Sequence, residues 1–445
     1  MQKTGKVSGR KLTLVPLVAA TCFMVSGGPY GLEELVQASG YKLAIAILFF
    51  LPLLWSLPTG LMVGELSAAL PSQGGFYVWV RRALGPFWGF QEAWLSLMAS
   101  VFDMGAYPTV AVLYLKHVWP QAGEGNNGVL IAASILLACL AWNLFGAKAV
   151  GDGSVLLGLL LMVPFSVITV YALFRHGIPV AATSVSAGKS DLLAAILVAM
   201  WNYMGWDNAS TVAEEVENPQ RTYPRVMIIA LVVIMLSYIV PVAAVWSAHL
   251  PVNAWETGSW ASIAGTVVGP WLGLAVVAGA LVSTAGILNS LTMSYSRLPV
   301  AMAEDGYLPR AFTLKLGNGA PWFAIVVCGL AWGLSLKLSF DRLIMLDILL
   351  YGASLVLEFV ALVVLRIHEP ELPRPFRVPG GLPVAVLLGM GPAALLVVAL
   401  IKNRNEHLGH FSTLTLGLAM AAAGVVCYFA AAHARTRRRP SGLKS

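Results

Sequence analysis

Between Arg225 and His249 the chain carries no charged side chain. As a helix rising 1.5 Å per residue, such a run reaches about 35 Å and outspans a bilayer's hydrocarbon core. It is one of twelve apolar stretches, at roughly 12–38, 42–70, 84–116, 128–147, 153–174, 190–216, 225–249, 269–297, 320–337, 341–366, 381–401 and 411–433. In hydrocarbon every backbone N–H and C=O needs a partner inside the protein, so only helices and closed barrels cross. Stretches near or above ~20 residues select helices. The pattern predicts an all-α integral membrane protein with 12 transmembrane helices. Composition agrees, with 58% hydrophobic and 11% charged residues and a mean hydropathy of +0.77, far from soluble usage.

The formal charge of +7 does not point to nucleic acid. The basic residues sit in the connections between apolar runs, where they meet lipid headgroups and set topology. With both termini inside, 20 of the 28 Lys and Arg fall on the inner side and 8 on the outer. That bias predicts cytoplasmic termini and a multi-pass cell-membrane protein. One transmembrane domain is expected over 1–435, followed by a basic cytoplasmic tail at 436–445. The basic start, Met1 to Lys11, leads into the first span without a small-residue cleavage site, so that span is expected to be retained. Cys22, Cys139, Cys328 and Cys427 show no CxxC spacing, so neither a disulfide framework nor a metal site is expected, nor any cofactor. There is no Walker A motif and no TVGYG-like filter, which argues against an ATP-driven pump and a channel.

Two spans are interrupted. The first contains Ser26-Gly27-Gly28-Pro29-Tyr30-Gly31, and the sixth contains Trp201 to Ser210 with Gly205 among polar residues. Three glycines and a proline in six residues do not sustain helical hydrogen bonding. Irregular backbone at membrane depth is tolerated where it is buried in protein or lines a wet cavity, and paired breaks point to a transporter's binding site. The third span opens with Gly85-Pro86-Phe87-Trp88-Gly89 and the eighth with Gly269-Pro270-Trp271-Leu272-Gly273, on opposite membrane faces. Repeat one (12–174) and repeat two (190–366) therefore read as inverted copies, with accessory helices at 381–433.

Half-helices leave backbone groups that a ligand can engage, which marks Ser26, Gly27 and Gly28. The plainer role of such glycines is close helix packing, but Pro29 adds a real break. It also removes an N–H from any amide clamp for a carboxylate, which favours a ligand recognised through its amines. Charged side chains within spans are costly and default to function. Asp103 in span 3, Asp207 at the second break and Glu358 in span 10 are the candidates for amine binding and for carrying a proton. The competing role for each is a buried hydrogen bond between helices. Tyr30, Tyr107, Trp201 and Tyr203 lie near the breaks and offer faces for cation–π contact. Trp206 does too, although most tryptophans in such a chain serve packing or interfacial belts.

Glu33 and Glu34 follow the first break and divide between vestibule and capping roles, while Glu65 and Glu92 read as structural or gating groups. Asp347 is ambiguous, and Glu214, Glu215 and Glu217 read as solvated. The seven histidines fall at span ends or in connections, which argues against an imidazole relay. Ser283 and Thr284 would have to join span 1 carbonyls to hold sodium, but such hydroxyls usually bond back to their own helix. A proton is the expected coupling ion.

The chain resembles the amino acid–polyamine–organocation superfamily and, within it, the polyamine:cation symporters. The resemblance is carried by Ser26 to Gly31, Pro71 to Val80, Ala83 to Gln91, Asp103 to Pro108, Trp201 to Asp207, Glu215 to Pro219, Leu357-Glu358-Phe359 and Arg374 to Gly381. It implies a LeuT-type five-plus-five inverted repeat with discontinuous helices 1 and 6, alternating access, and a central site between spans 1, 3, 6, 8 and 10. Trp201 and Asp207 match the aromatic gate and the acidic position of bacterial putrescine and arginine/agmatine exchangers, where the acid is commonly glutamate. The expected function is a secondary active transporter, not an enzyme, importing polyamines or related cationic amines with protons. The alternative is an amino-acid permease of the same fold.

Overall fold

The computed structural model describes residues 11–177, 191–403, 407–408 and 411–438. Most of the proposed basic tail, the connection holding Lys189, and Lys3, Lys6 and Arg10 lie outside the described residues. The helices are α1 (Leu14–Val25), α2 (Glu33–Leu54), α3 (Ser56–Ala69), α4 (Phe76–Leu84), α5 (Pro86–Leu115), α6 (Asn127–Asn143), α7 (Ala147–His176) and α8 (Leu192–Asn202). They continue with α9 (Pro219–Trp246), α10 (Trp260–Val267), α11 (Pro270–Tyr295), α12 (Arg297–Glu304), α13 (Trp322–Gly333), α14 (Phe340–His368), α15 (Gly381–Asn403) and α16 (Thr413–Arg438).

Helix boundaries follow local chemistry. Gly85 (φ 92°) and Gly269 (φ 147°) take backbone conformations that other residues avoid, and the prolines after them open α5 and α11. Proline costs nothing there, because the first helical N–H has no intrahelical partner. Asp191 caps α8 by accepting from the Ala194 N–H at 3.0 Å. Within α2, Gly40 is left-handed (φ 72°, ψ 166°) and divides a short run after the first break from the long run that follows.

Among the described residues, eight helical runs are long and apolar enough to cross a membrane, from Glu33–Ala69 to Thr413–Arg435. This is fewer than the expected twelve for identifiable reasons. The first and sixth spans are broken, so α1 and α8 hold 12 and 11 residues. Residues 33–69 join across Gly40, and α6 and α13 are short at 17 and 12 residues. The half of span 6 after its break is not α-helical. It forms 3₁₀ turns at Trp206–Thr211 and Ala213–Glu215.

At the centre, α1 packs on α7, α9, α11 and the Trp206–Thr211 turn, while α5 packs along α14 and crosses α11. The largest wholly buried side chains include Trp55, Trp79, Trp206, Trp255, Trp260 and Trp332. Helices α15 and α16 bury few of their residues and flank this core.

Candidate functional site

Protein donors hold both breaks in place. Ser26 is extended after α1. Gly28 (φ 74°) and Gly31 (φ 85°) are left-handed. The carbonyl of Gly27 accepts from Ser283 Oγ at 2.7 Å, that of Pro29 from Trp260 Nε1 at 2.9 Å, and that of Gly31 from Asn202 Nδ2 at 3.2 Å. Ser26 Oγ accepts from the Gly28 N–H at 3.0 Å. Ser283 thus donates to the carbonyl it would have to share with a sodium ion. In the second break, a Cβ on Gly205 (φ 92°) would stand 2.3 Å from the Met24 carbonyl oxygen. Only glycine permits that approach between the two broken segments. The Gly205 N–H donates to the Tyr351 hydroxyl at 3.0 Å, and that hydroxyl in turn donates to Asp207.

Two small cavities lie beside the breaks. One, of about 30 Å³, is lined by Gly27, Tyr30, Tyr107, Trp201, Asn202 and Ser283 among others. The other, of about 10 Å³, is lined by Asp103, Tyr107, Gly205, Tyr295, Asp347 and Tyr351 with two methionines. Tyr107 belongs to both. Its ring stacks on Trp201 with centroids 5.7 Å apart, and its hydroxyl donates to Asp103 at 2.6 Å. Tyr295 donates to the other Asp103 oxygen at 3.2 Å. Neither lining contains a Lys, Arg or His. Carboxylates beside aromatic faces, with no basic counter-charge, suit a bound ammonium. The cavities hold no more than a water or two, so a larger ligand enters only when side chains or helices shift.

Polar contacts tie the helices together toward both ends of the bundle. At one end Asp305 takes Arg81 and the Tyr77 hydroxyl, and Arg297 pairs with Glu215 at 3.0 Å. There too, buried Glu65 binds Arg366 and lies 3.4 Å from Arg374. Outside the spans, Arg82 grips Glu369 through two nitrogens and holds its carboxyl below the usual range. At the other end Glu33 is buried and accepts from Tyr114 and from the Gly258 N–H at 3.2 Å, while Glu34 accepts from Thr257. Glu33 and Glu34 occupy the first turn of α2. The positive end of the half-helix dipole therefore already faces protein carboxylates.

The structure brings Gly27, Tyr30, Asp103, Tyr107 and Trp201 to the cavities, with Asp207 one hydrogen bond behind Tyr351. Ser26 and Gly28 face instead an apolar groove of about 280 Å³ formed by residues of α1, α7 and α9. The Tyr203 hydroxyl donates to the Leu48 carbonyl at 2.9 Å, and its ring packs on Tyr238. Glu358 is buried farther along α14. The sequence singles out neither Tyr351 nor Tyr295 and leaves Asp347 ambiguous. A signal existed for two of them. Asp347, Tyr351 and Glu358 are spaced by four and seven, which places them on one helical face.

A family model described as "Amino acid permease" matches residues 18–424. The polyamine transporter RMV1 of Arabidopsis thaliana is 34% identical over 422 residues, covering 92% of this chain and 84% of the relative. The polyamine transporter PUT1 of rice (Oryza sativa subsp. japonica) is 33% identical over 394 residues, covering 88% and 74%. The serine/threonine exchanger SteT of Bacillus subtilis is 29% identical over 340 residues, covering 73% and 75%. These relatives are named as transporters and exchangers, not enzymes. With its apolar helices and paired breaks, the chain is a multi-pass membrane transport protein and belongs to the amino acid permease family of the amino acid–polyamine–organocation superfamily.

Proposed function

We propose that the chain imports polyamines or related cationic amines across the cell membrane, coupled to protons, by alternating access. The observation that carries this reading is the pair of cavities joined at Tyr107: Asp103 and Asp347 line one, Trp201 lines the other, Asp207 stands one hydrogen bond behind Tyr351, and neither lining holds a basic side chain. The ammonium groups of a polyamine supply the missing positive charge. Pro29 and the two glutamates at the start of α2 oppose a substrate carboxylate there. The kinship with named polyamine transporters supports the same substrate class. In this reading the chain has twelve spans in a LeuT-type five-plus-five repeat, with the α1 and α8 breaks as its discontinuous helices. Both termini are cytoplasmic, and the membrane potential favours entry by roughly 2.3 kcal/mol per charge per 100 mV.

Proteoliposome uptake tests it. Labelled putrescine or spermidine should enter saturably and faster under an inward proton gradient. The likeness to the serine/threonine exchanger keeps a second reading open, an amino-acid permease of the same fold. Saturable uptake of neutral amino acids, indifferent to excess putrescine, would select that reading and reject the first.

A further inference from the structure

Glu92 and Asp103 stand eleven positions apart on α5, as do Asp347 and Glu358 on α14. That spacing is three helical turns plus about 20°, so each pair shares one helix face with about 16 Å between its members. The two helices pack together and run antiparallel. At one end Arg82, ahead of α5, pairs with Glu369, beyond α14. At the other, a Cβ on Gly105 would meet Ser335 and Leu343. Antiparallel packing sorts the four acids into two levels. Asp103 and Asp347 share the small cavity. Glu92 and Glu358 form a deeper level, within electrostatic reach of each other and of Asp207.

The deeper level is built differently. Glu358 is 0% exposed, and neither of its carboxyl oxygens has a hydrogen-bond partner. Glu92 accepts from Ser96 at 3.0 Å through one oxygen and leaves the other without a partner. The titratable groups facing the pair are Asp207 from the second break, Tyr351 from α14 and Tyr77 from α4. The hydroxyls of Tyr351 and Tyr77 are already given to Asp207 and Asp305. Basic groups on adjoining elements are also taken: Arg366 and Arg374 lie on Glu65, Arg81 on Asp305, and Arg435 over the Tyr307 ring. Two buried carboxylates with no counter-charge beside them are costly as anions. A proton taken up at this level removes the like-charge repulsion and needs no cavity.

We propose that Glu92 and Glu358 form a proton station, three turns along the α5–α14 seam from the amine site. The station loads and releases the coupling proton of the transport cycle. Asp103 and Asp347 are left for the ammonium, and Asp207 senses both levels. In the step itself, an O–H bond of the carboxyl pair breaks, its proton passes to water on the side that has opened, and the electron pair remains on the carboxylate. This rests on the proton-coupled amine transport proposed above and says where the proton rides.

Glu358→Gln and Glu92→Gln, reconstituted beside the wild type, test it. Wild-type counterflow of labelled putrescine comes first; if it is absent for every amine, the transport reading falls before the station is in question. A gradient of one pH unit sustains roughly tenfold accumulation per proton in the wild type. Each variant should lose that accumulation and the pH dependence of counterflow, through rate and not through KM. Wild-type accumulation in Glu358→Gln overturns the station. So does a raised putrescine KM with pH dependence intact, which would make the site an ammonium subsite. Should the variants fail to fold, the wild type still answers by labelling with a hydrophobic carbodiimide, which attacks protonated buried carboxyls. An adduct on Glu358 or Glu92 that fades as pH rises and survives saturating putrescine supports the station. No adduct at any pH, or protection by putrescine, removes it.

Discussion

The first break and the α5–α14 seam meet at the same cavities, yet they treat their polar groups in opposite ways. In the break, the carbonyls of Gly27, Pro29 and Gly31 each accept from a named side chain. In the seam, both oxygens of Glu358 and one of Glu92 accept nothing. A satisfied polar network specifies one conformation, whereas an unsatisfied one costs stability and is retained where function needs it. The break is therefore built as the fixed part of the machine, and in the proposed cycle the seam is the part whose charge changes.

The strongest test of that contrast lies where the second break leans on the first broken segment. Gly205→Val forces a side chain at φ 92° against the Met24 carbonyl. Strain of about 1–3 kcal/mol for the backbone alone, plus the clash, should abolish uptake and lower the melting temperature together. Wild-type uptake from this variant would show that the two broken segments need not touch. Asp207→Asn should also abolish uptake or uncouple it from pH, but with the melting temperature held or raised, because a buried acid short of counter-charge is removed. A matching loss of stability would move Asp207 to the structural side of the comparison. A smaller effect belongs to Trp201→Ala. Loss of a cation–π face worth about 0.5–2 kcal/mol predicts a KM for amines raised roughly twofold to thirtyfold, with most of it recovered in Trp201→Phe. Equal KM values in all three proteins would leave Trp201 a packing residue.

The smallest effect is expected outside the seam. Arg82 and Glu369 form a half-exposed pair of the kind that solvent and salt largely screen. Arg82→Gln should leave the melting temperature unchanged at neutral pH. The sign of its pH dependence is still defined. Glu369 is held below the usual carboxylate range, so any contribution is present above that range and lost as pH falls through the lowered value. A large drop at neutral pH would mean the pair locks the ends of α5 and α14.

How much of this was legible in the sequence depends on whether a feature is local. Gly27, Gly28, Pro29 and Gly205 announce their breaks because backbone preference is written residue by residue, and both breaks stand where the sequence places them. The short helices α4 and α10 were missed, since nine and eight residues between long apolar runs resemble connections. Asp347 stayed ambiguous because its meaning lies in the helix opposite. Only the packing of α14 on α5 sets it at the level of Asp103. Glu33 looked as suited to a vestibule as to a cap. Its burial comes from Tyr114 and Gly258, residues far away in the chain. The same limit applied to Tyr203, whose position beside a break says nothing about the Leu48 carbonyl that claims its hydroxyl.

Tyr351 brings two of these features onto a single oxygen. Its hydroxyl receives the N–H of Gly205 and gives its only proton to Asp207. Rotation about the phenol C–O bond moves that proton and leaves the oxygen in place, so the amide keeps its acceptor while the proton is free to follow the charge on Asp207. The arrangement divides two tasks on one atom: the oxygen holds the bend of the broken helix, and the proton it carries answers to Asp207.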